Sequence, residues 1–142
     1  MPIFAAIAGI SLLIIFHELG HWFVAQSLGF RTPVFCVGFG APYVVIGVMR
    51  NTEFRITPWL LGGYVEVPEL WGEEAEIKQF EIWKRAAVSS AGVIMNVLVA
   101  LALFFIVFAN QGLSPAEAAT KSMSSVASAS TSIVQGLAMV YR

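Results

Sequence analysis

Two long apolar segments without charge restrict the folds open to this chain. Residues 86–109 form a run of 24 residues that contains no charged side chain. Residues 2–16 are also uncharged, and the apolar pattern resumes after a short polar stretch through Leu28. A helix that crosses a bilayer needs about 20 mostly apolar residues. We therefore predict transmembrane helices over residues 2–28 and 86–109, with a core helix of a soluble protein as the alternative. No Lys or Arg precedes the first segment, so it is not a typical signal peptide.

The composition favours a membrane protein. Of the 142 residues, 58% are hydrophobic and 12% are charged, whereas soluble domains carry about 25% charged residues. The net charge of −1 and the lack of basic clusters give no support for nucleic acid as a partner. Cys36 is the only cysteine, which excludes an internal disulfide and a CxxC metal site. The expected fold class is a mainly α membrane protein with one domain over residues 1–142.

Residues 29–85, between the two apolar segments, carry most of the charge. They hold six of the eight Lys and Arg residues and seven of the nine glutamates. Arg31, Lys84 and Arg85 directly flank the apolar segments. Because loops rich in Lys and Arg stay in the cytoplasm, we expect a multi-pass protein with this region cytoplasmic and both termini on the other side.

The same region has the pattern of a small β-sheet. The runs "PVFCVGFG", "YVVIGVM" and "EFRITP" are short, rich in Val, Ile and Phe, and separated by Gly, Pro and "RN". Residues 49–54 are typical of a hairpin turn. The strands are apolar on both faces, which predicts a sheet that lies against the membrane or dips into it. Gly62 and Gly63 in "LLGGYVEV" indicate a tight turn or a close backbone approach.

Residues 114–142 form a segment of another kind. "SPAE", residues 114–117, has the residues of a capping box with proline at the first helical position. Eight of the thirteen residues from Thr120 to Ser132 are Ser or Thr. This segment is too polar for a membrane span and too poor in large apolar residues for a core. We expect a Ser-rich amphipathic or partial helix.

The sequence "HELGH" lies inside the first apolar segment and suggests a metal site. His17 and His21 are four residues apart, so both project from one face of a helix and could hold one zinc ion. Glu18 could then act as the general base on a water whose pKa zinc lowers to about 7. The alternative is a polar stripe or a hydrogen-bonded pair of histidines. A charged group at the centre of a bilayer costs about 2.5–3.5 kcal/mol, which favours a functional role.

The depth of His17 predicts where such a site would act. At 1.5 Å per residue, His17 lies about 22 Å along the helix, towards the cytoplasmic side of the membrane. An enzyme with such a site would cut a peptide bond within or near the membrane, and a helical substrate must first be unwound there. An exposed strand edge could hold the unwound segment by β-augmentation, and the candidate edge is Gly38, Phe39 and Gly40. The alternative is that the strands only pack the protein against lipid headgroups.

Four motifs in this order resemble the site-2 protease family of intramembrane zinc metalloproteases. They are "HELGH", "VGFG" at residues 37–40, "PWLLGGYV" at residues 58–65 and "KRAAVSSAGVIMN" at residues 84–96. The resemblance covers most of residues 3–109. It implies that His17 and His21 are Zn²⁺ ligands, that Glu18 is the catalytic base, and that Asn96, with Gly92 on the same helical face, positions substrate. Gly92 and Asn96 also suit helix packing, which is the alternative for them.

The resemblance also implies a function and a location. It suggests an endopeptidase that cleaves membrane-anchored proteins within or near the bilayer, in regulated proteolysis, and a bacterial-type inner membrane.

The third zinc ligand has no counterpart in the sequence. Family members supply an aspartate from a later membrane helix, but all nine acidic residues here are glutamates. Glu117 occupies a capping position on the other side of the membrane, and nothing places Cys36 at the metal. The chain is therefore expected to be an incomplete catalytic unit. Three hypotheses follow: the N-terminal part of a longer protease, a short non-catalytic membrane interaction protein, or a unit whose aspartate comes from a second chain.

Overall fold

The computed structural model describes residues 2–71 and 80–140 as four helices and one sheet. The helices are α1 (Pro2–Ser27), α2 (Pro68–Trp71), α3 (Ile82–Asn110) and α4 (Pro115–Val140). The strands are β1 (Val34–Phe39), β2 (Val44–Met49), β3 (Thr52–Ile56) and β4 (Trp59–Val65). The chain divides into two compact units, residues 1–96 and 97–142.

Helices α1 and α3 are long and apolar enough to cross a membrane. The candidate spans are Ile3–Ser27, with 25 residues, and Ile82–Asn110, with 29 residues. Most of their large apolar side chains are exposed rather than packed in a core. Lipid can cover such surfaces, whereas a soluble protein rarely leaves large apolar patches open to water. Helix α3 begins four residues before the predicted span, because Lys84 and Arg85 belong to its first turn.

The predicted small sheet is present, and it is mixed. Its strand order is β2-β3-β1-β4, with β1 parallel to β3 and the other neighbours antiparallel. The β2–β3 hairpin turns at Arg50 and Asn51, whose φ angles of 49° and 61° are those of a two-residue turn with positive φ at both positions. The sequence had indicated this hairpin. Every residue of β2 is exposed, although the strand is apolar.

The glycine pair in β4 serves a close backbone approach and not a tight turn. Strand β4 runs through Gly62 and Gly63 without interruption. A Cβ on Gly63 would lie 2.9 Å from the carbonyl oxygen of Cys36. Gly62 has a φ of 126° and lies under the ring of Phe39, where a side chain would clash. The two strands can therefore pack closely only with glycine at these positions.

A small core joins the end of α1 to the helices that follow the sheet. Ala25, Phe30, Val67 and Val88 are buried together, and the rings of Phe30 and Phe80 stack with centroids 3.9 Å apart. This cluster brings residue 88 of α3 to the last turns of α1.

Hydrogen bonds connect α1 to strand β3 and connect the loop after α1 to α2. Trp22 Nε1 donates to Thr52 Oγ1 at 2.9 Å. Arg31 donates through Nε to the buried carboxylate of Glu69 at 2.7 Å. Glu69 is thus buried, and residues 72–79, which follow α2, lie outside the described part of the chain.

The second unit contains helix α4, which a capping box begins. Ser114 N–H donates to Glu117 Oε2 at 3.0 Å, and Glu117 N–H donates back to Ser114 Oγ at 3.5 Å. This capping box starts α4, which continues for 26 residues to Val140. The Ser and Thr hydroxyls along it donate to carbonyls three or four residues earlier, as Ser128 and Ser132 do. A polar sequence can therefore remain helical without partners for these hydroxyls elsewhere.

Candidate metal centre

The two histidines of the HELGH stretch face each other on α1. Their Nε2 atoms are 3.1 Å apart, and the ring planes are inclined at 76°. One helical turn separates the residues, as the spacing of four predicts. The two nitrogens therefore point at one small volume.

Helix α3 contacts the Nδ1 atom of each imidazole. Nδ1 of His21 lies 2.6 Å from the carbonyl oxygen of Val88. Because a carbonyl can only accept, Nδ1 of His21 donates in this contact, and Nε2 faces His17. Nδ1 of His17 lies 3.1 Å from Nδ2 of Asn96. Val88 and Asn96 are eight residues apart and share one face of α3.

Gly92 lies midway between those two residues and makes room for the imidazoles. A Cβ at this position would lie 2.6 Å from Cε1 of His17 and would clash with Nε2 of both histidines. The helices also touch at Gly20, where a Cβ would lie 2.6 Å from the carbonyl oxygen of Ala91. Glycine on each helix thus allows α3 to approach the HELGH face.

This pair of nitrogens fits zinc as part of a ligand set. Two nitrogens bound to tetrahedral zinc at 2.0–2.1 Å would be about 3.3 Å apart, close to the separation on α1. Within residues 2–71 and 80–140, no group of three or more His, Cys, Asp or Glu side chains could hold a metal ion. The described chain therefore offers two of the three protein ligands that a catalytic zinc needs.

A cavity of about 360 Å³ opens beside the histidines. Its polar lining comes from Glu18, His21, Tyr64 and Ser89. Strand β4 passes close to Glu18, since a Cβ on Gly63 would be 3.5 Å from Glu18 Cγ. The cavity is thus lined in part by a glutamate, a histidine, a tyrosine and a serine, and it is large enough for part of a peptide.

Tyr64 and Ser89 are cavity residues that the sequence reasoning did not select. Burial, followed by the interaction with Cys36, raises the pKa of the Tyr64 hydroxyl above its usual value, against the opposite effect of Arg55. Tyr64 is therefore a neutral O–H donor at neutral pH. Its place in "PWLLGGYV" was a usable signal, whereas nothing in the sequence distinguished Ser89 from its neighbour Ser90.

Comparison with known proteins identifies the family. The model of Peptidase family M50 matches residues 5–142. This chain belongs to peptidase family M50. The resemblance to site-2 proteases that the four motifs suggested is therefore confirmed.

This chain is similar to known proteins of three organisms. A protein of Xylella fastidiosa with zinc metalloprotease in its name is 34% identical over 111 residues, which are 72% of this chain and 24% of that protein. Protease RseP of Yersinia pestis is 35% identical over 113 residues, 73% of this chain and 25% of that protein. Membrane metalloprotease ARASP, chloroplastic, of Arabidopsis thaliana is 32% identical over 120 residues, 80% of this chain and 27% of that protein. The chain spans about a quarter of the length of these curated relatives.

The segment that was predicted to hold an unwound substrate lies at the end of strand β1. Gly38, Phe39 and Gly40 were predicted to form an exposed strand edge. Strand β1 lies between β3 and β4; its pairing with β3 runs from Val34 to Val37, and Phe39 pairs with Trp59 of β4. The predicted substrate edge at these residues stays a prediction. A Cβ on Gly38 would lie 2.5 Å from the carbonyl oxygen of Trp59, which shows that the glycine serves the packing of β1 on β4.

The remaining predicted residues fall into two groups. His17, His21, Gly92 and Asn96 lie in contact, and Glu18 lies beside the cavity. Cys36 is buried in the sheet, where its Sγ donates to the carbonyl oxygen of Gly38 at 3.8 Å. It belongs to no metal-binding group in the described part of the chain.

Proposed function

We propose that this chain supplies the HELGH half of an intramembrane zinc endopeptidase. The observation that supports this best is the pair of Nε2 atoms 3.1 Å apart, next to a cavity lined by Glu18. Zinc, when bound by His17 and His21, would polarise a scissile carbonyl and lower the pKa of a water to about 7. The names of the M50 relatives support zinc as the metal.

Glu18 is the general base in this proposal. Its carboxylate accepts a proton from the attacking water and then gives that proton to the departing amine nitrogen. Proton transfer by a positioned side chain contributes about 10²–10⁴-fold to a rate. Tyr64, a neutral donor on the same cavity, is placed to bind a peptide carbonyl.

We place the substrate on β4. This strand is at the end of the sheet, pairs with β1 on one side, and packs against α1 near Ile14 and Glu18. An extended segment of a membrane-anchored protein would add to its other side by β-augmentation. The main-chain bonds would hold an unwound peptide beside the cavity.

We propose that the third zinc ligand comes from a segment or chain outside the described residues. The sequence has no aspartate, and the described side chains form no set of three ligands. We also propose that residues 29–85 face the cytoplasm in a bacterial-type inner membrane, as the Lys and Arg distribution suggests. The regulated cleavage of membrane-anchored proteins is the matching biological role.

A non-catalytic membrane interaction protein is the second candidate. The observation that favours it is the same incomplete ligand set. In that case the protein would retain the fold and the two helices but would bind a membrane partner without cutting it.

Substitution of Glu18 separates the two candidates. In the whole protein, purified in detergent, Glu18→Gln should retain one zinc per site and lower cleavage of a membrane-anchored peptide by at least about 10²-fold. Glu66→Gln, which neutralises an exposed carboxylate that does not line the cavity, is the matched control and should remain active. Zinc-free wild-type protein without cleavage would favour the interaction protein, and full cleavage by Glu18→Gln would remove Glu18 from its role.

A further inference from the structure

A second cavity, separate from the one beside the histidines, lies at the end of α1. It has a volume of about 470 Å³. Its lining comes from the last turn of α1, the loop between α1 and β1, the β2–β3 turn and the first residue of α2. In the described part of the chain, the two cavities share no lining residue. The proposed zinc chemistry therefore does not account for this second cavity.

The charged side chains that line the second cavity are both arginines. Arg31 lies in the loop after α1 and Arg50 in the β2–β3 turn, whereas no Asp or Glu is among the lining residues that the structure describes. The carboxylate of Glu69 accepts from Arg31 Nε at 2.7 Å and offsets that charge in part. The side chain of Arg50 is exposed, and within the described residues no ion pair offsets its charge. The net positive charge of the lining favours an anion.

The buried hydroxyl of Thr32 adds a hydrogen-bond donor to this lining. Thr52 Oγ1 accepts from Trp22 Nε1 at 2.9 Å and from Gln26 Nε2 at 3.3 Å. A hydroxyl oxygen has two lone pairs, so Thr52 then donates its own hydrogen to Thr32 Oγ1, which lies 2.8 Å away. Thr32 Oγ1 also accepts from Gln26, which uses its second lone pair. The hydroxyl hydrogen of Thr32, a residue only 2% exposed, is left for an acceptor in the cavity.

The turn that carries Arg50 is anchored to α1. Gln26 Nε2 donates to the carbonyl oxygen of Arg50 at 3.3 Å, and Trp22 bonds to Thr52 at the start of β3. The backbone on both sides of the turn is paired in the β2–β3 ladder. Because these contacts fix the backbone, a ligand of Arg50 would have to order little more than one side chain.

The position of the cavity along α1 favours a lipid as the source of the anion. The candidate span Ile3–Ser27 ends beside it, and the headgroups of a bilayer lie just outside the hydrocarbon core. Basic pockets at this level are suited to anionic headgroups. Phe23, three residues before Gln26 on α1, is 56% exposed and offers acyl chains an apolar surface next to the cavity.

We propose that this cavity binds the phosphate group of an anionic phospholipid. Arg50 supplies a planar guanidinium that matches two phosphate oxygens, and the Thr32 hydroxyl donates to a third acceptor position. Arg31 is the second cation. A lipid bound here would join the β2–β3 turn to the end of α1 at the membrane surface. No HELGH residue lines the cavity, so the proposal goes beyond the proposed function.

Lipid binding by the whole protein tests the proposal. Delipidated protein in a non-ionic detergent would be titrated with phosphatidylglycerol and separately with phosphatidylcholine, and bound lipid would be counted by native mass spectrometry. Wild type should prefer phosphatidylglycerol. Arg50→Asn removes the charge and keeps a residue that tolerates the φ of 49° at this position. It should weaken phosphatidylglycerol binding by at least about 10-fold, because hydrogen bonds to a charged group are lost.

Arg55→Gln is the matched control. It removes a positive charge from the same hairpin at a residue that does not line the cavity, and it should bind phosphatidylglycerol like wild type. Equal affinities of wild type and Arg50→Asn, or equal losses in Arg50→Asn and Arg55→Gln, would overturn the site.

Inorganic phosphate alone distinguishes the source of the anion. Phosphorus NMR of the same detergent samples should show no saturable phosphate binding at the concentrations that suffice for the lipid. Saturable phosphate binding that Arg50→Asn weakens, without a preference for phosphatidylglycerol, would assign the cavity to a soluble anion and overturn the lipid proposal. These measurements involve neither zinc nor cleavage, so their failure is distinguishable from failure of the proposed function.

Discussion

At the scale of single residues, the candidate metal centre depends on a position without a side chain, Gly92. Gly92 occupies the position on α3 that faces both imidazoles, and a single methyl group there would clash with both Nε2 atoms. The candidate ligands and the candidate base are visible in the sequence because their chemistry is in their side chains. The Val88 carbonyl, which orients His21, is a backbone group and leaves no sequence signal.

Gly92→Ala should therefore remove metal binding while the helix remains folded. Alanine is a better helix former than glycine by about 0.5–1 kcal/mol, so α3 itself should not be weakened. Metal analysis of purified protein and circular dichroism would measure the two effects. Gly9→Ala is the matched control, because a Cβ at Gly9 meets nothing within 4 Å. Normal zinc content in Gly92→Ala would contradict the packing argument.

At the scale of elements, the sequence indicated the local hairpin but not the pairing of strands that are distant in the chain. The β2–β3 hairpin could be predicted because its turn and both strands are contiguous. The parallel pairing of β1 with β3 joins residues about 19 positions apart, as in Val34 with Glu53, and no local pattern encodes it. Residues 35–37 of β1 are therefore enclosed by two strands in a way that the sequence did not reveal.

The start of α4 should respond to acid. Hydrogen bonds from the hydroxyl and then the N–H of Ser114 lower the pKa of the Glu117 carboxyl. Because this pKa is lower in the folded helix, the stabilisation is present above the unfolded pKa and is lost as pH falls through the folded value. Carboxyl carbon NMR during an acid titration should show a Glu117 midpoint below the usual value of about 4.3.

Ser114→Ala is the control for this titration. It removes the hydroxyl donor, so the Glu117 midpoint should rise towards that of an ordinary glutamate, and the first turn of α4 should lose helical carbon shifts at neutral pH. A Glu117 midpoint that is the same in wild type and Ser114→Ala would rule out the capping box as the cause.

At the scale of the whole molecule, the exposed apolar surface favours a lipid environment. Helices α1 and α3 expose most of their large apolar side chains, and β2 exposes an apolar residue at five of its six positions. The charge pattern predicts an orientation across the membrane, because Arg and Lys are concentrated in residues 29–85. Composition was enough to predict two helices that are long and apolar enough to cross a membrane, since length and hydropathy are properties of a single segment.

Labelling from the two sides of the membrane tests the orientation. If α3 crosses the bilayer, Asn51→Cys should react with an impermeant maleimide only from the cytoplasmic side, and Gln111→Cys only from the opposite side. Both positions are exposed, and the natural Cys36 is buried, so background labelling should be low. Reaction of both variants from the same side would exclude a crossing by α3.

The contact at Gly20 has a consequence for protein engineering. A Cβ at this residue would lie 2.6 Å from the Ala91 carbonyl oxygen and 2.8 Å from Met95 Cβ. The fourth letter of HELGH is thus set by the neighbouring helix and not by the metal. A designer who grafts the two histidines and the glutamate onto another helix pair must also transfer this glycine and, on the second helix, Gly92. Without them the graft would have the right ligands but helices held too far apart to orient them.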